Sequence, residues 1–364
     1  MSSAEVSIPS SNATVSARAF NVQADGSKIL AALFLTPVLP GRDFLEPLPA
    51  YVFLVERVDK DGKKRRIMFD LGTRKDQENI APKMKEAAAK MGPHVKLVVD
   101  KDVVEQLTEG GINLESIDTV IWSHTHLDHV GDLSKWPSST KLVVGPGADR
   151  KGYPTHPDAV LLDSDFAGRE VEELDFTNSK LKIAGLSAID YLGDGSFYLI
   201  DMPGHCPGHV VALARVKPDS FVLFGADTCH HPGQIRPNPH IHKSYPCPGR
   251  LLDAARKSVS AEHFAAPGAT EFDLEKRDTC FFGVAPPPHS FYADKAQSEE
   301  SQKALAVLDA QKNVFVIVSH DATLEGVLGL FPEKLDDWEE KGWKEQTIWT
   351  FLEEDNKAFR LAPC

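Results

Sequence analysis

The sequence predicts an α/β chain in which strands are gathered into sheets and covered by helices, and three observations carry that expectation. Apolar, β-branched runs alternate with helical stretches, a strand-helix-strand rhythm that returns in the second half of the chain. The composition, 42% hydrophobic and 26% charged over 364 residues, is that of an ordinary globular protein able to bury a core. Several strand runs end directly in histidine or aspartate, so the residues fit for chemistry collect at strand ends. Length alone does not choose between one large domain and two ordinary ones.

Taken in order, residues 1 to about 13 are Ser-rich and expected to be loose. Val15 to Val22 alternates imperfectly and forms a first strand, after which Pro37, Pro40, Pro47 and Pro49 mark a loop. Residues 50–57 and 66–70 read as a hairpin turning at Asp59 to Lys64. Helices are expected at Lys83 to Met91 and Val103 to Thr108, the second stopped near Gly110-Gly111. Asp118 to Trp122 is a buried strand leading into Ser123-His124-Thr125-His126-Leu127-Asp128-His129. There, four metal-capable side chains fall within six residues. Neutral imidazoles with a carboxylate suit a borderline cation such as zinc. His124 and His126, two apart, point the same way in an extended segment, while Asp128 and His129 follow the turn and face a second position. That is a spacing for two metals.

Lys141 to Gly145 is the next strand, and the Pro-, Gly- and Asp-rich residues 146–170 form a long connection. Strands are expected at Lys182 to Tyr191 and Phe197 to Asp201, the latter leading into Pro203-Gly204-His205-Cys206-Pro207-Gly208-His209. His205 and His209 have the i, i+4 spacing of a helical zinc pair, but Pro207 and Gly208 between them break a helix, so this stretch is a loop. Cys206 is read as a small buried side chain. Strands at Val210 to Val216 and Phe221 to Gly225 follow, the second ending in Ala226-Asp227-Thr228-Cys229-His230-His231. Residues 232–295 are rich in proline and carry Tyr245, Phe281, Phe282 and Tyr292 together with a helix expected at Leu251 to Phe264. These rings would either line a substrate pocket beneath a cap or form a small satellite core. A helix at Ser298 to Gln311, a strand at Val314 to Val318 ending in Ser319-His320-Asp321, and a last strand at Thr347 to Phe351 complete the chain.

His-x-His-x-Asp-His at 124–129 resembles the signature of the metallo-β-lactamase superfamily. The order of later elements is similar to its N-acyl-homoserine-lactonase branch and to fungal lactonase-like and lactamase-like hydrolases, from about residue 45 to about residue 330. The resemblance implies an αββα sandwich of two mixed sheets flanked by helices. It implies one domain over residues 1–364, with a core at about 45–330 and an inserted cap or variable substrate segment at 232–295. It further implies that His124, His126 and His205 hold one metal, that Asp128, His129 and His320 hold a second, and that Asp227 bridges both. Asp70, in an early Asp-x-Gly element, and His209 would support these ligands from behind.

Two Zn2+ ions are the implied cofactors, although other divalent metals tolerate such ligands. A hydroxide between two dications has its pKa lowered from about 16 to near neutrality, a nucleophile needing no Ser or Cys. Asp128 would pass its proton to the leaving group, and His230 or Tyr245 would orient or protonate that group. The expected function is a dinuclear-metal hydrolase opening a cyclic ester or amide, a lactone or lactam, including small heterocyclic toxins. A glyoxalase-II-like thioesterase shares every ligand, but no C-terminal Lys/Arg set suited to glutathione carboxylates is evident. A non-catalytic, metal-stabilised binding protein is disfavoured because all seven ligands are present. A flavodiiron protein would carry Glu where this chain has His126.

The formal net charge of −13 argues against nucleic acid or anionic lipid as a partner and leaves a small molecule as the expected one. No apolar run approaches the roughly 18 to 20 residues of a membrane span, and the polar start of the chain is unlike a secretory signal, so a cytoplasmic location is expected. The five cysteines are scattered and odd in number, without a Cys-x-x-Cys pair, and imply no disulfide framework. Oligomeric state is not set by the sequence.

Overall fold

The computed structural model describes residues 6–39, 41–59, 61–251, 279–353 and 356. Its centre is a pair of six-stranded mixed sheets, each built from strands consecutive in the chain. The first runs in spatial order β1 (Ser16–Asn21), β2 (Tyr51–Val58), β3 (Lys64–Phe69), β4 (Thr119–Ile121), β5 (Lys141–Val144) and β6 (Val171–Glu173). The second runs β7 (Lys182–Ile183), β8 (Leu186–Asp190), β9 (Phe197–Asp201), β10 (Val210–Lys217), β11 (Ser220–Ala226) and β12 (Val314–Val318). Pairing is antiparallel within β1-β2-β3 and β7 to β11, and parallel along β3-β4-β5-β6 and between β11 and β12.

Period-two alternation explains why the sheets stack. In β2, Tyr51, Phe53 and Val55 join the core between the sheets, while Val52 and Leu54 join the apolar layer on the outer face. Between the sheets the rings of Phe53 and Phe224 lie 3.9 Å apart and nearly parallel, at 6°. Burying such a side chain contributes about 1.5–3 kcal/mol. Outside the first sheet sits α2 (Val103–Glu109), after α1 (Pro82–Lys90), and α2 buries Val103 and Leu107 against it. Its start is fixed by a reciprocal cap: the Glu105 N–H donates to Asp102 Oδ1 and the Asp102 N–H to Glu105 Oε2, both at 2.9 Å. On the second sheet lies a 15-residue helix, Lys295–Asp309, which buries Leu305 and Leu308. The layers are therefore α, β, β, α, as expected.

Strand direction then puts the loops that matter on one edge. β3, β4, β9, β11 and β12 run into Asp70, Ser123-His124, the 203–209 loop, Asp227 and His320 respectively, at the carboxyl ends where open α/β sheets present their ligands.

Three expectations about elements are corrected. The strand expected over 182–191 is broken into β7 and β8, because Ala184 and Gly185 take positive φ of 49° and 84° and make a turn. The final strand expected at 347–351 is instead a short helix, Trp343–Thr347, followed by a 3-10 turn at Thr350–Leu352. Trp343, Lys344, Thr347 and Ile348 are buried at helical spacing, which outweighs the β propensity of their neighbours. The helix expected from Ser298 starts at Lys295, where Asp294 accepts from the Gln297 N–H at 3.0 Å. The helix expected at 251–264 lies outside the described residues beyond Leu251.

Of the 232–295 segment, Gly283–Val284 pairs antiparallel with Leu35–Thr36. Phe281 and Phe282 are buried with Phe34, Leu35, Trp349 and Phe351 in a second apolar cluster. Phe281, Phe282 and Tyr292 all belong to this satellite core, and Tyr292 also reaches from it to His230 through its hydroxyl.

Candidate metal centre

The turn after β4 delivers the first ligand group. His124 follows the end of β4, His126 lies on extended backbone, and a single helical turn, α3 (Leu127–Val130), carries Asp128 and His129. Gly131 closes the turn at φ 58°, and a Cβ there would lie 2.5 Å from Leu71 Cβ, so only glycine fits. The structure brings His124, His126, His205 and Asp227 together with one ligand atom each within 4.8 Å, and Asp128, His129 and His320 likewise. All seven side chains named from the sequence therefore converge. Asp227 lies between the two groups. Its Oδ2 is 3.4 Å from His205 Nε2 and 3.7 Å from His124 Nε2, while its Oδ1 is 3.2 Å from His129 Nε2 and 3.4 Å from His320 Nε2. The other oxygen contact of His320 Nε2 is Asp128 Oδ2, at 3.4 Å.

His124, His129 and His320 are each held by a partner behind the ring. Asp70, at φ 62°, accepts from the Ser123 N–H, the Ser123 hydroxyl and His129 Nδ1 at 2.7, 2.7 and 2.8 Å. Ser123 Oγ in turn lies 3.0 Å from His124 Nδ1. His320 Nδ1 donates to the Pro49 carbonyl at 2.6 Å. With their Nδ1 atoms so engaged, His129 and His320 present Nε2 to the centre. His209 faces the other way: its Nδ1 donates to the Met202 carbonyl at 2.7 Å and its Nε2 accepts from the Asp227 N–H at 3.2 Å. It holds the Pro-Gly-His loop to the Asp227 loop from behind. Both Asp70 and His209 thus stand where the sequence put them.

The carboxylates and imidazoles of the cluster set one another's charge. Burial would raise the carboxyl of Asp128, but His129 and His320 outweigh it and bring it to about 2. Burial likewise opposes protonation of His320, yet Asp227 and Asp128 lift it to about 10. Burial and the neighbouring imidazoles keep His124 and His205 well below the usual histidine range, so they are the neutral rings a metal takes. Meanwhile the buried His124 Nε2 has no hydrogen-bond partner, and His129 Nε2 and Asp227 Oδ1, 3.2 Å apart, are too poorly aligned to bond each other. Polar atoms left unpaired inside a protein are costly, and here they converge on two positions ringed by nitrogen and oxygen. The donor set fits two divalent cations.

His230, predicted near the leaving group, lies within the cluster. Its Nε2 is 3.0 Å from Asp227 Oδ2 and its Nδ1 is 2.8 Å from the Tyr292 hydroxyl. Phe34 stacks on its ring at 3.8 Å. Gln234 accepts the His230 backbone N–H at 2.8 Å. Tyr245, the other residue expected there, stands elsewhere: its hydroxyl is 3.5 Å from Glu345 Oε1, and the Lys344 ammonium lies 5.1 Å from its ring centre. Its ring packs with the satellite core. Tyr292, and not Tyr245, brings its hydroxyl to the cluster, at His230. The pairing of Tyr292 with His230 spans 62 residues with no local motif, so nothing in the sequence singled it out beyond its place among the segment's aromatics.

A model described as the Metallo-beta-lactamase superfamily matches residues 45–320. The chain is 36% identical over 356 residues to Gamma-lactamase FDB1 of Fusarium pseudograminearum, covering 95% of this chain and 84% of that protein. It is 37% identical over 369 residues to Cytochrome P450 monooxygenase mpaDE' of Penicillium brevicompactum, covering 97% of this chain but 39% of that protein. The chain thus spans about two fifths of the length of that relative. Among solved structures, an N-acyl homoserine lactone hydrolase with N-hexanoyl-L-homoserine bound at its catalytic metal center superposes with a TM-score of 0.54 at 14% identity, covering 88% of this chain and 99% of that one. That likeness is one of fold.

Proposed function

The chain belongs to the metallo-β-lactamase superfamily, and from that premise we propose that it is a dinuclear metal-dependent hydrolase that opens a small cyclic ester or cyclic amide. The observation that carries the reading is Asp227, whose two oxygens face different histidine groups. Similarity to a gamma-lactamase over nearly the whole chain supports the cyclic amide as well as the ester.

In this reading His124, His126 and His205 hold one cation, Asp128, His129 and His320 the other, and Asp227 both. Two zinc ions bound there would supply Lewis acidity, polarising a carbonyl and making water acidic enough to attack at neutral pH. Asp128, partly exposed like His126 where the other five ligands are buried, takes the proton shed by the attacking water. His230 is engaged at both ring nitrogens: Nε2 lies beside the Asp227 carboxylate, which can only accept, so the proton sits on Nε2 and Nδ1 faces the Tyr292 hydroxyl as acceptor. Asp128 returns the proton it took from water to the ring oxygen or nitrogen expelled as the carbonyl–heteroatom bond breaks, and the His230 N–H hydrogen-bonds that atom as it leaves. An amide needs it more than an ester, because the nitrogen leaves poorly unless protonated.

Two metals per chain by elemental analysis, and hydrolysis of a panel of lactones, lactams and thioesters that a chelator abolishes and zinc restores, are the expected results. A zinc-loaded protein inert toward the whole panel refutes the reading. The variant His230→Ala should lose about 10²–10⁴-fold in turnover, more on lactams than on lactones. Unchanged turnover removes His230 from the chemistry.

A further inference from the structure

Among the described residues, the exposed edge of the cluster is the run from Thr125 to Asp128. His124, His129, His205, Asp227 and His320 are all at most 5% exposed, whereas Thr125, His126, Leu127 and Asp128 are partly exposed. A substrate must approach over that run. Phe291 stands beside it, its ring 6.4 Å from that of His126 and 5.4 Å, edge-on, from that of the buried Phe34. At 37% exposed, Phe291 is one of four large apolar side chains among the described residues left in water.

The backbone around Phe291 is held firmly. The Phe291 N–H donates to the Leu33 carbonyl at 2.9 Å, and the Ala293 N–H to the His205 carbonyl at 2.8 Å. Tyr292 between them reaches His230. A ring so anchored loses little freedom on meeting a ligand, and an exposed phenyl face at a binding mouth favours a flat partner by offset or edge contact.

We propose that Phe291 is a specificity-determining residue, and that the substrate carries a flat aromatic group beside its cyclic carbonyl, seated on the Phe291 ring while the carbonyl enters at His126. This rests on the hydrolase reading above. The group touches substrate and no reacting atom, so its effect falls on KM.

The test compares two lactones, γ-butyrolactone and γ-phenyl-γ-butyrolactone, on the zinc-loaded full chain. Phe291→Ala should lower kcat/KM for the phenyl compound about tenfold, chiefly through KM, and change that for the plain lactone less than twofold. Phe291→Leu, which stays apolar but offers no flat face, should recover little, whereas Phe291→Tyr should recover most. Equal losses on both lactones, or full recovery by leucine, overturn the proposal. Calorimetric binding of the ring-opened phenyl product is read in parallel. Binding that needs Phe291 without turnover of either lactone sinks the hydrolase reading alone. Turnover or product binding indifferent to Phe291 sinks this one alone.

Discussion

Asp70 lies outside both ligand groups, yet it receives three hydrogen bonds that set the Ser123 backbone and the His129 ring. Asp70→Asn keeps the shape but loses the charge that holds His129 Nδ1–H in place. Metal affinity should fall about 10–100-fold with the fold intact, as competition with a chromophoric chelator would measure. At this scale the sequence was most readable. Ligands that share a short loop must be close in space, so His124, His126, Asp128 and His129 could be named from their spacing, whereas His205, Asp227 and His320, each after a later strand, were named through the family resemblance. Tyr292 could not, since its meeting with His230 depends on how a proline-rich segment returns from the surface. Tyr245 was the same residue type in the same segment, but its ring lies against Glu345 and Lys344.

Among the elements, the loop carrying His205 depends on the helix Lys295–Asp309. Gly204, at φ 121°, packs so tightly on that helix that a Cβ would lie 2.3 Å from the Ser298 nitrogen. The Asp294 N–H also donates to the Gly204 carbonyl at 2.9 Å, and the Ser301 hydroxyl to that of Pro203 at 2.6 Å. Gly204→Ala must push the loop away. The expected result is a protein of unchanged secondary structure by circular dichroism that retains about one metal per chain, the ion lost being that of His205. Sequence periodicity found most strands because their faces are buried on both sides, giving long apolar runs such as Val210–Lys217. It missed the turn at Ala184-Gly185 and misread Thr347 to Phe351 as a strand, where aromatic and β-branched residues continue the burial of the helix before them.

For the molecule as a whole, acid stability has an identifiable contributor. Burial would raise the Glu56 carboxyl, but hydrogen bonds from Arg66, Arg18 and Lys64 outweigh it and hold it at about 2. A folded-state pKa below the unfolded one stabilises above the unfolded value, near 4.5, and the benefit is lost as pH falls toward 2. With solvent screening the contribution is about 1 kcal/mol. Glu56→Gln should be less stable than wild type by that amount at pH 6 and indistinguishable from it at pH 2, as denaturant unfolding at the two pH values would show. Chelation acts on another part of the molecule. Removing ions held a thousandfold above their dissociation constant should cost about 4 kcal/mol, read as a lowered Tm. No helix among the described residues is long and apolar enough to cross a membrane. The sandwich itself was anticipated through family resemblance; composition and rhythm alone gave only sheets covered by helices.

Because each sheet is made from one uninterrupted stretch, β1 to β6 and then β7 to β12, the polypeptide has a natural seam near residues 174–181. Severed there, each piece would keep its own ladder of strands but bare the greasy side that Phe53 and Phe224 now hide from water. Neither piece would survive alone. Made together they should find one another, and since the imidazoles and carboxylates of the metal cluster come from both, zinc would act as the rivet that keeps them joined.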